Sequence, residues 1–555
     1  MRGTFLLVLA PFLAAGAGAQ TAGRRVVESF DFAGVTLEDG LLKRQVDEVK
    51  EYTLRLPNDD LLRGFRARAG RPAPGIDLGG WYGADVFHVF GQILSGLARL
   101  HAATGDPDCA EKARALVREW GSCIGEDGFF FSDAPNAPHY AYDKLVGGLV
   151  DCFPYCGDAE ALAHLDRITD WAIANLDRAR PYGADHREWY TLSENLYRAF
   201  LATGDETYRE FARVWEYAGY WDLFAAGKDI FRDRPDGALD RRYHAYSHVN
   251  TLGGAGAAYL ATGERRYLDV LVGAYDYLQA SQCFAMGGYG PDETLRPRAE
   301  LIGALGRTHN TFETQCGSWA AFKMCKYLIS CTGEARFGDW IERLVYNGIG
   351  ASVPMSGDGR VFCHSDYNPS GARKRNIDFG WSCCTGTRPQ AVADYYDLAF
   401  FHDGDSLYVN LYTPSTLRVA FGGAEVTVRQ STRFPAEEEV RFTVDAPGPV
   451  RFALKLRAPG WLAGPLEAAA GGERVELAMD RGWAGIAREW RPGDTLEVRL
   501  PMRFAALPWT RRGGPRPPSS AARSCWRSAA LRSIRRSAST SRTSKTRSSR
   551  APARS

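Results

Sequence analysis

From about Gly40 to Phe401 apolar residues recur at three- and four-residue intervals, the period of a helix with one buried face. VFHVFGQILSGLARLHAATGD, LSENLYRAFLATGDETY, VNTLGGAGAAYLATGERRY and WAAFKMCKYLISCTGEARF show it most clearly. Each run stops at Thr-Gly followed by an acid, at Thr104-Gly105, Thr203-Gly204, Thr262-Gly263 and Thr332-Gly333. A glycine just past the last turn closes a helix by taking the left-handed conformation. Tyr208, Tyr267 and Phe337 follow three of these stops and suit the packing of the next helix. The stops recur at 99, 59 and 70 residues, which predicts helical hairpins laid side by side. A toroid of six such pairs, an (α/α)6 barrel, accommodates the many glycine- and aromatic-rich connections by gathering them on one face, as in carbohydrate-binding clefts.

After Asp403 the period changes to two. SLYVNLYTPSTLRVAF, AEVTVRQSTRF, EVRFTVDA, VRFALKLRAPGW and DTLEVRLPMRF are short alternating runs broken by Gly and Pro. They predict an antiparallel β-sandwich. The expected fold is therefore mainly α: residues 20–403 form the toroid and residues 404–508 the sandwich.

The two ends follow neither pattern. Met1–Ala19 carries Arg2, an apolar stretch from Phe5 to Ala15 and the small residues Ala17-Gly18-Ala19, the layout of a secretory signal peptide. Export to a bacterial periplasm or beyond is expected. Residues 509–555 read either as a disordered basic tail or as the product of a slipped reading frame, and function is not read from them. This tail also conceals the charge of the body. The chain is formally +2, but residues 511–555 hold 13 of its 68 Lys and Arg and no acid, leaving 55 basic against 66 acidic groups in the rest. A mildly acidic body gives no case for nucleic-acid binding. A mean hydropathy of −0.30, with no internal apolar run of about 18 residues, argues against a membrane span. At 45% apolar and 24% charged the composition is ordinary for a globular chain and excludes collagen-like or wholly disordered classes. Fourteen Trp and 25 Tyr in an exported ring-plus-sandwich chain suggest work on sugars by analogy of fold.

Candidate chemistry centres on cysteine. Of the 12 cysteines, Cys325 and Cys331 lie in an apolar helical run and read as core, as do Cys152 and Cys156. In RTHNTFETQCGSW, Thr311 or Thr314 is expected to cap the following helix, which puts Glu313 and Cys316 on one side of its first turn. Free amides there favour a thiolate. Taken alone, the pair reads more simply as a capping glutamate and a buried thiol. The adjacent Cys383 and Cys384 of DFGWSCCTGTRPQ read as core thiols, a strained disulfide or two metal ligands. With Glu313 and Cys316 they would complete a tetrahedral Cys3Glu set suited to Zn2+.

Several pieces together resemble glycoside hydrolase family 127, a family of β-L-arabinofuranosidases, and its sister family 146. They are the GGW of Gly79–Trp81, HAYSHVN, GGYGPDE, Glu-Thr-Gln-Cys opening a helix, ERLVYNGIGA, SDYN, WSCCTGTRPQ and VNLYTPST. The resemblance spans about residues 27–508. It implies a zinc site of Glu313, Cys316, Cys383 and Cys384, with Cys383 as nucleophile and Glu293 as acid/base. It also implies sugar contacts at His248 and Tyr367, with Trp81 a further candidate. Two departures stand out: Glu313 and Cys316 are separated by two residues rather than one, and Tyr142–Lys144 replaces a family histidine. The implied activity is retaining hydrolysis of terminal β-L-arabinofuranosides or related furanosides of a glycan. Two other readings remain open at this stage: a toroid enzyme acting on uronic-acid sugars, and a non-catalytic carbohydrate-binding protein.

Overall fold

The structure is a computed structural model that describes residues 23–80, 83, 86–133, 135, 137–178, 188–233, 243–377 and 380–504. Six helices, Phe90–Thr104, Pro138–Cys156, Leu192–Thr203, Ala245–Thr262, Thr314–Thr332 and Cys383–Ala399, pack each on the next, and the last returns to the first to close a ring. A second helix backs each of them: Pro107–Gly121, Ala159–Asn175, Glu206–Val214, Arg265–Ser281, Gly338–Asn347 and, behind Cys383–Ala399, Leu41–Arg55. This is the expected (α/α)6 toroid.

The Thr-Gly stops act as the pattern predicts. Gly105, Gly204, Gly263 and Gly333 all take φ between 70° and 77°. Each preceding threonine donates its hydroxyl to the carbonyl four residues back, as from Thr104 to Leu100 at 2.7 Å. The same hydroxyl accepts the amide of the acid two residues on. Asp106 and Asp205 then cap the outer helices with their own carboxylates. One short sequence thus ends an inner helix and starts its partner. All four stops lie at one end of the ring, so the six inner-helix N-termini share the other end.

The lumen is crossed by buried ion pairs. Arg99 joins Asp151 at 2.8 Å to Asp394 at 2.6 Å, and Lys323 pairs with Glu194. No helix among the described residues is long and apolar enough to cross a membrane.

The sandwich has a seven-stranded and a six-stranded sheet. Phe421 stacks on Phe452, with ring centroids 4.6 Å apart, and Phe452 on Trp490 at 5.6 Å. Two features differ from the sequence reading. Val450–Arg457 runs parallel to Ser406–Val409, although its other neighbour is antiparallel. And the sandwich takes strands from the N-terminal region: Glu28–Ser29 pairs with Phe401–His402, and Val35–Leu37 with Ser415–Leu417. Such two- and three-residue strands carry too little alternation to be seen in a sequence. Arg457, wholly buried, fastens the sandwich to the toroid through Asp339 at 2.6 Å and through Glu342, which also accepts from Trp461 at 2.6 Å.

Candidate metal and catalytic centre

The shared N-terminal end of the inner helices gathers the candidate residues. Glu313 ends the two-residue strand Phe312–Glu313, which pairs with His364–Ser365, and it occupies the cap position of the helix Thr314–Thr332. Neither Thr311 nor Thr314 caps that helix. Their hydroxyls go to Ser365, at its carbonyl (2.7 Å) and its hydroxyl (2.9 Å). The neighbouring helix opens on Cys383 and Cys384 behind a capping box of Ser382 and Thr385. The preceding Trp381 is clamped by Gly80 (φ 83°), where a Cβ would overlap the Trp381 carbonyl. Only glycine allows that approach. Trp81, the next residue, lies outside the described residues.

One ligand atom each from Glu313, Cys316, Cys383 and Cys384 lie within 4.8 Å of one another, and all four residues are buried. Cys383 Sγ is 3.1 Å and Cys384 Sγ 3.7 Å from Glu313 Oε1. The two-residue spacing between Glu313 and Cys316 therefore still brings both to one point, because Glu313 approaches from the strand and Cys316 from the helix. Glu313 Oε2 is buried without a hydrogen-bond partner. A buried carboxylate oxygen left bare among three thiols is costly unless something binds it. Without a cation, burial and the charge of Cys384 push the Glu313 carboxyl well up. Burial likewise pushes up the Cys316 thiol. Burial also opposes ionisation of Cys384, yet contacts with Cys316, Cys363 and Cys383 outweigh it and hold that thiol well below its usual range. The group cannot hold several negative charges together without a positive one, and its soft donors fit a thiophilic divalent metal.

Glu293 stands nearby on a strained loop, where it and Asp292 both take φ of 54°. Its Oε1 meets His364 Nε2 at 2.7 Å, and its Oε2 lies 3.5 Å from His244 Nε2. The other side of His244, at Nδ1, faces Glu188 at 3.6 Å, and Glu188 too has positive φ (62°). Burial works to raise the Glu293 carboxyl, but hydrogen bonds from His244 and His364 outweigh it and hold it down at about 2. Burial works against the His244 imidazolium, but Glu293 and Glu188 push it up to about 9.

One expected sugar contact, His248, is closed off from solvent. His248 is fully buried, with Nδ1 2.9 Å from the His244 carbonyl and its ring among Tyr190, Tyr217, Tyr220 and Tyr243. It secures the first turn of its helix and presents no surface to a sugar; His244, one turn earlier, takes the site position. Tyr367 packs on Phe284 (5.8 Å), with Leu301 and Leu305. Lys144 is buried against Asp143 (2.8 Å), 3.3 Å from the Tyr246 hydroxyl. Sequence reasoning missed His244, His364, Glu188 and Cys363. The first histidine of HAYSHVN and the Cys363-His364 pair beside SDYN were the available signals.

Comparison with known proteins bears on the family and the fold. The family model described as the β-L-arabinofuranosidase GH127 catalytic domain matches residues 34–397, and that of the GH127 middle domain matches residues 406–502. No curated protein sequence matches the chain. Among solved structures, a GH127 β-L-arabinofuranosidase from Geobacillus stearothermophilus T6 is 20% identical with a TM-score of 0.68, covering 86% of this chain and 83% of its own. A second GH127 β-arabinofuranosidase is 18% identical with a TM-score of 0.69, covering 86% and 81%. At such identities the structures speak for the fold, whereas the family models span most of the chain. The chain belongs to the GH127 β-L-arabinofuranosidase family and is a glycoside hydrolase.

Proposed function

We propose that the protein is an exported, zinc-dependent retaining glycosidase that releases terminal β-L-arabinofuranosyl or related furanosyl groups from glycans, with Cys383 as nucleophile. The observation that carries this reading is the Glu313–Cys316–Cys383–Cys384 group beside the strained Glu293. Bound there, Zn2+ would keep the cysteines deprotonated at neutral pH. Cys383 is the ligand sulfur best placed to attack: its residue is 7% exposed, whereas Cys316 and Cys384 are fully enclosed. Cys383 Sγ attacks the anomeric carbon while Glu293, ionised at rest, relays the His244 proton to the departing oxygen. Glu293 then takes a proton from the water that cleaves the thioglycoside, restoring the cysteine. The Glu293–His244 pair stores the proton that this cycle moves. Residues 1–19, outside the described residues, supply the reading of export.

The test combines metal analysis of the mature chain with turnover of a chromogenic β-L-arabinofuranoside. About one zinc per chain is expected. Cys383→Ser should abolish turnover in a folded chain, and Glu293→Gln should slow it by about 10²–10⁴-fold. A zinc-free wild type that still hydrolyses the glycoside, or a Cys383→Ser variant at full rate, would overturn the proposal.

A further inference from the structure

Three cysteines in one metal group pose a question of selection: one sulfur must react while two stay bound. The hydrogen bonds one step out from the ligands distinguish them. Gln92, on the helix Phe90–Thr104, donates Nε2–H to Thr387 Oγ1 at 2.8 Å. Its Oε1 accepts from the Tyr140 hydroxyl at 3.4 Å, which sets the orientation of the amide. Thr387, one turn beyond Cys383, places Oγ1 3.0 Å from Cys316 Sγ. Once a metal is bound, Cys316 has no proton, so the hydrogen in that contact belongs to the threonine. Gln92 and Thr387 are at most 1% exposed, so water cannot take their place. Cys384 has a comparable neighbour, the thiol of Cys363. Cys383 Sγ instead meets the metal group itself, at Glu313, Cys316 and Cys384.

We propose that Thr387, oriented by Gln92, is a positioning residue that damps Cys316: its hydroxyl draws charge from that sulfur, keeps it a holding ligand and leaves Cys383 the electron-rich one. A hydrogen bond donated to a ligand lowers its donor strength but fixes its direction, and losing the orientation that such a partner supplies weakens metal binding by about 10–100-fold. The inference rests on the metal–thiolate reading above.

The readout is the cobalt-substituted protein, whose sulfur-to-cobalt charge-transfer band reports sulfur electron density without any turnover. Thr387→Val should move the band to lower energy and weaken cobalt binding by about tenfold or more, measured against a chelator. Thr387→Ser keeps the hydroxyl and should restore both. Gln92→Leu, on a different helix, should move the band in the same direction by freeing the hydroxyl to turn away. A wild-type band and affinity in Thr387→Val, or a band unmoved in Gln92→Leu, overturns this inference alone. A wild-type chain that takes up no cobalt or zinc overturns the metal reading and this inference with it.

Discussion

Glu293 and His244 make a pair whose ionisation the folded chain sets, so the metal-free protein should record it in its melting temperature. His244 is raised from 6.5 to about 9, so its contribution is fully present below about pH 6.5 and is lost as the pH rises through about 9. Glu293 is lowered from 4.5 to about 2, so its contribution is present above about pH 4.5 and is lost as the pH falls through about 2. The pair therefore supports the fold most between about pH 4.5 and 6.5. In Glu293→Gln the decline in melting temperature between pH 6.5 and 9 should flatten; an unchanged decline would assign it to other groups. Such residues were the least legible part of the sequence. Glu313, Cys383 and Cys384 attract notice because adjacent thiols and an acid near a helix start are unusual in any setting. His244, His364, Glu188, Gln92 and Thr387 acquire meaning only when four distant stretches of chain meet. His248 misled for a local reason: it shares a helix face with His244, and spacing alone does not tell which of two such histidines faces the site.

At the scale of elements, the metal group depends on the turn that launches the helix Cys383–Ala399. Gly80→Ala would drive a methyl group into the Trp381 carbonyl and strain a positive φ. The turn through Ser382 would have to shift, carrying Cys383 and Cys384 with it. The expected outcome is a marked loss of zinc affinity with most of the helical circular dichroism retained. By contrast Gly79→Ala, whose added Cβ meets nothing within 4 Å, should cost less despite its own positive φ; equal losses would remove the overlap as the cause. The Thr-Gly-acid stops were legible because each is complete within five or six residues: the hydroxyl and the left-handed glycine, and at Asp106 and Asp205 the next cap, need no tertiary partner. The short strands Glu28–Ser29 and Val35–Leu37 were not, since their only reason to be extended is a neighbour some 370 residues away.

At the scale of the molecule, Arg457 and Glu342 hold the sandwich on the toroid with no exposure to water. Arg457→Met should destabilise the protein by about 3–5 kcal/mol, because it leaves a buried carboxylate without its partner. Adding Glu342→Leu should recover much of that loss, as apolar replacements of buried pairs often do. Denaturant unfolding of the two variants checks both statements, and a double variant no more stable than the single would count against the pairing argument. The toroid and the sandwich were both visible as a change of period near residue 403. Their shared use of the first strands was not.

That sharing bears on how the protein is made. The strand Val35–Leu37 leaves the ribosome long before Ser415–Leu417, the segment it must pair with. At about 5–20 residues per second the wait is roughly 20–75 s. For most of it, until residue 399 is made, the ring also lacks its sixth inner helix, so neither half has a finished partner to fold upon. A chain that must be complete before either part closes stays open to threading and to chaperones, and it is correspondingly exposed to aggregation if synthesis stalls before residue 417.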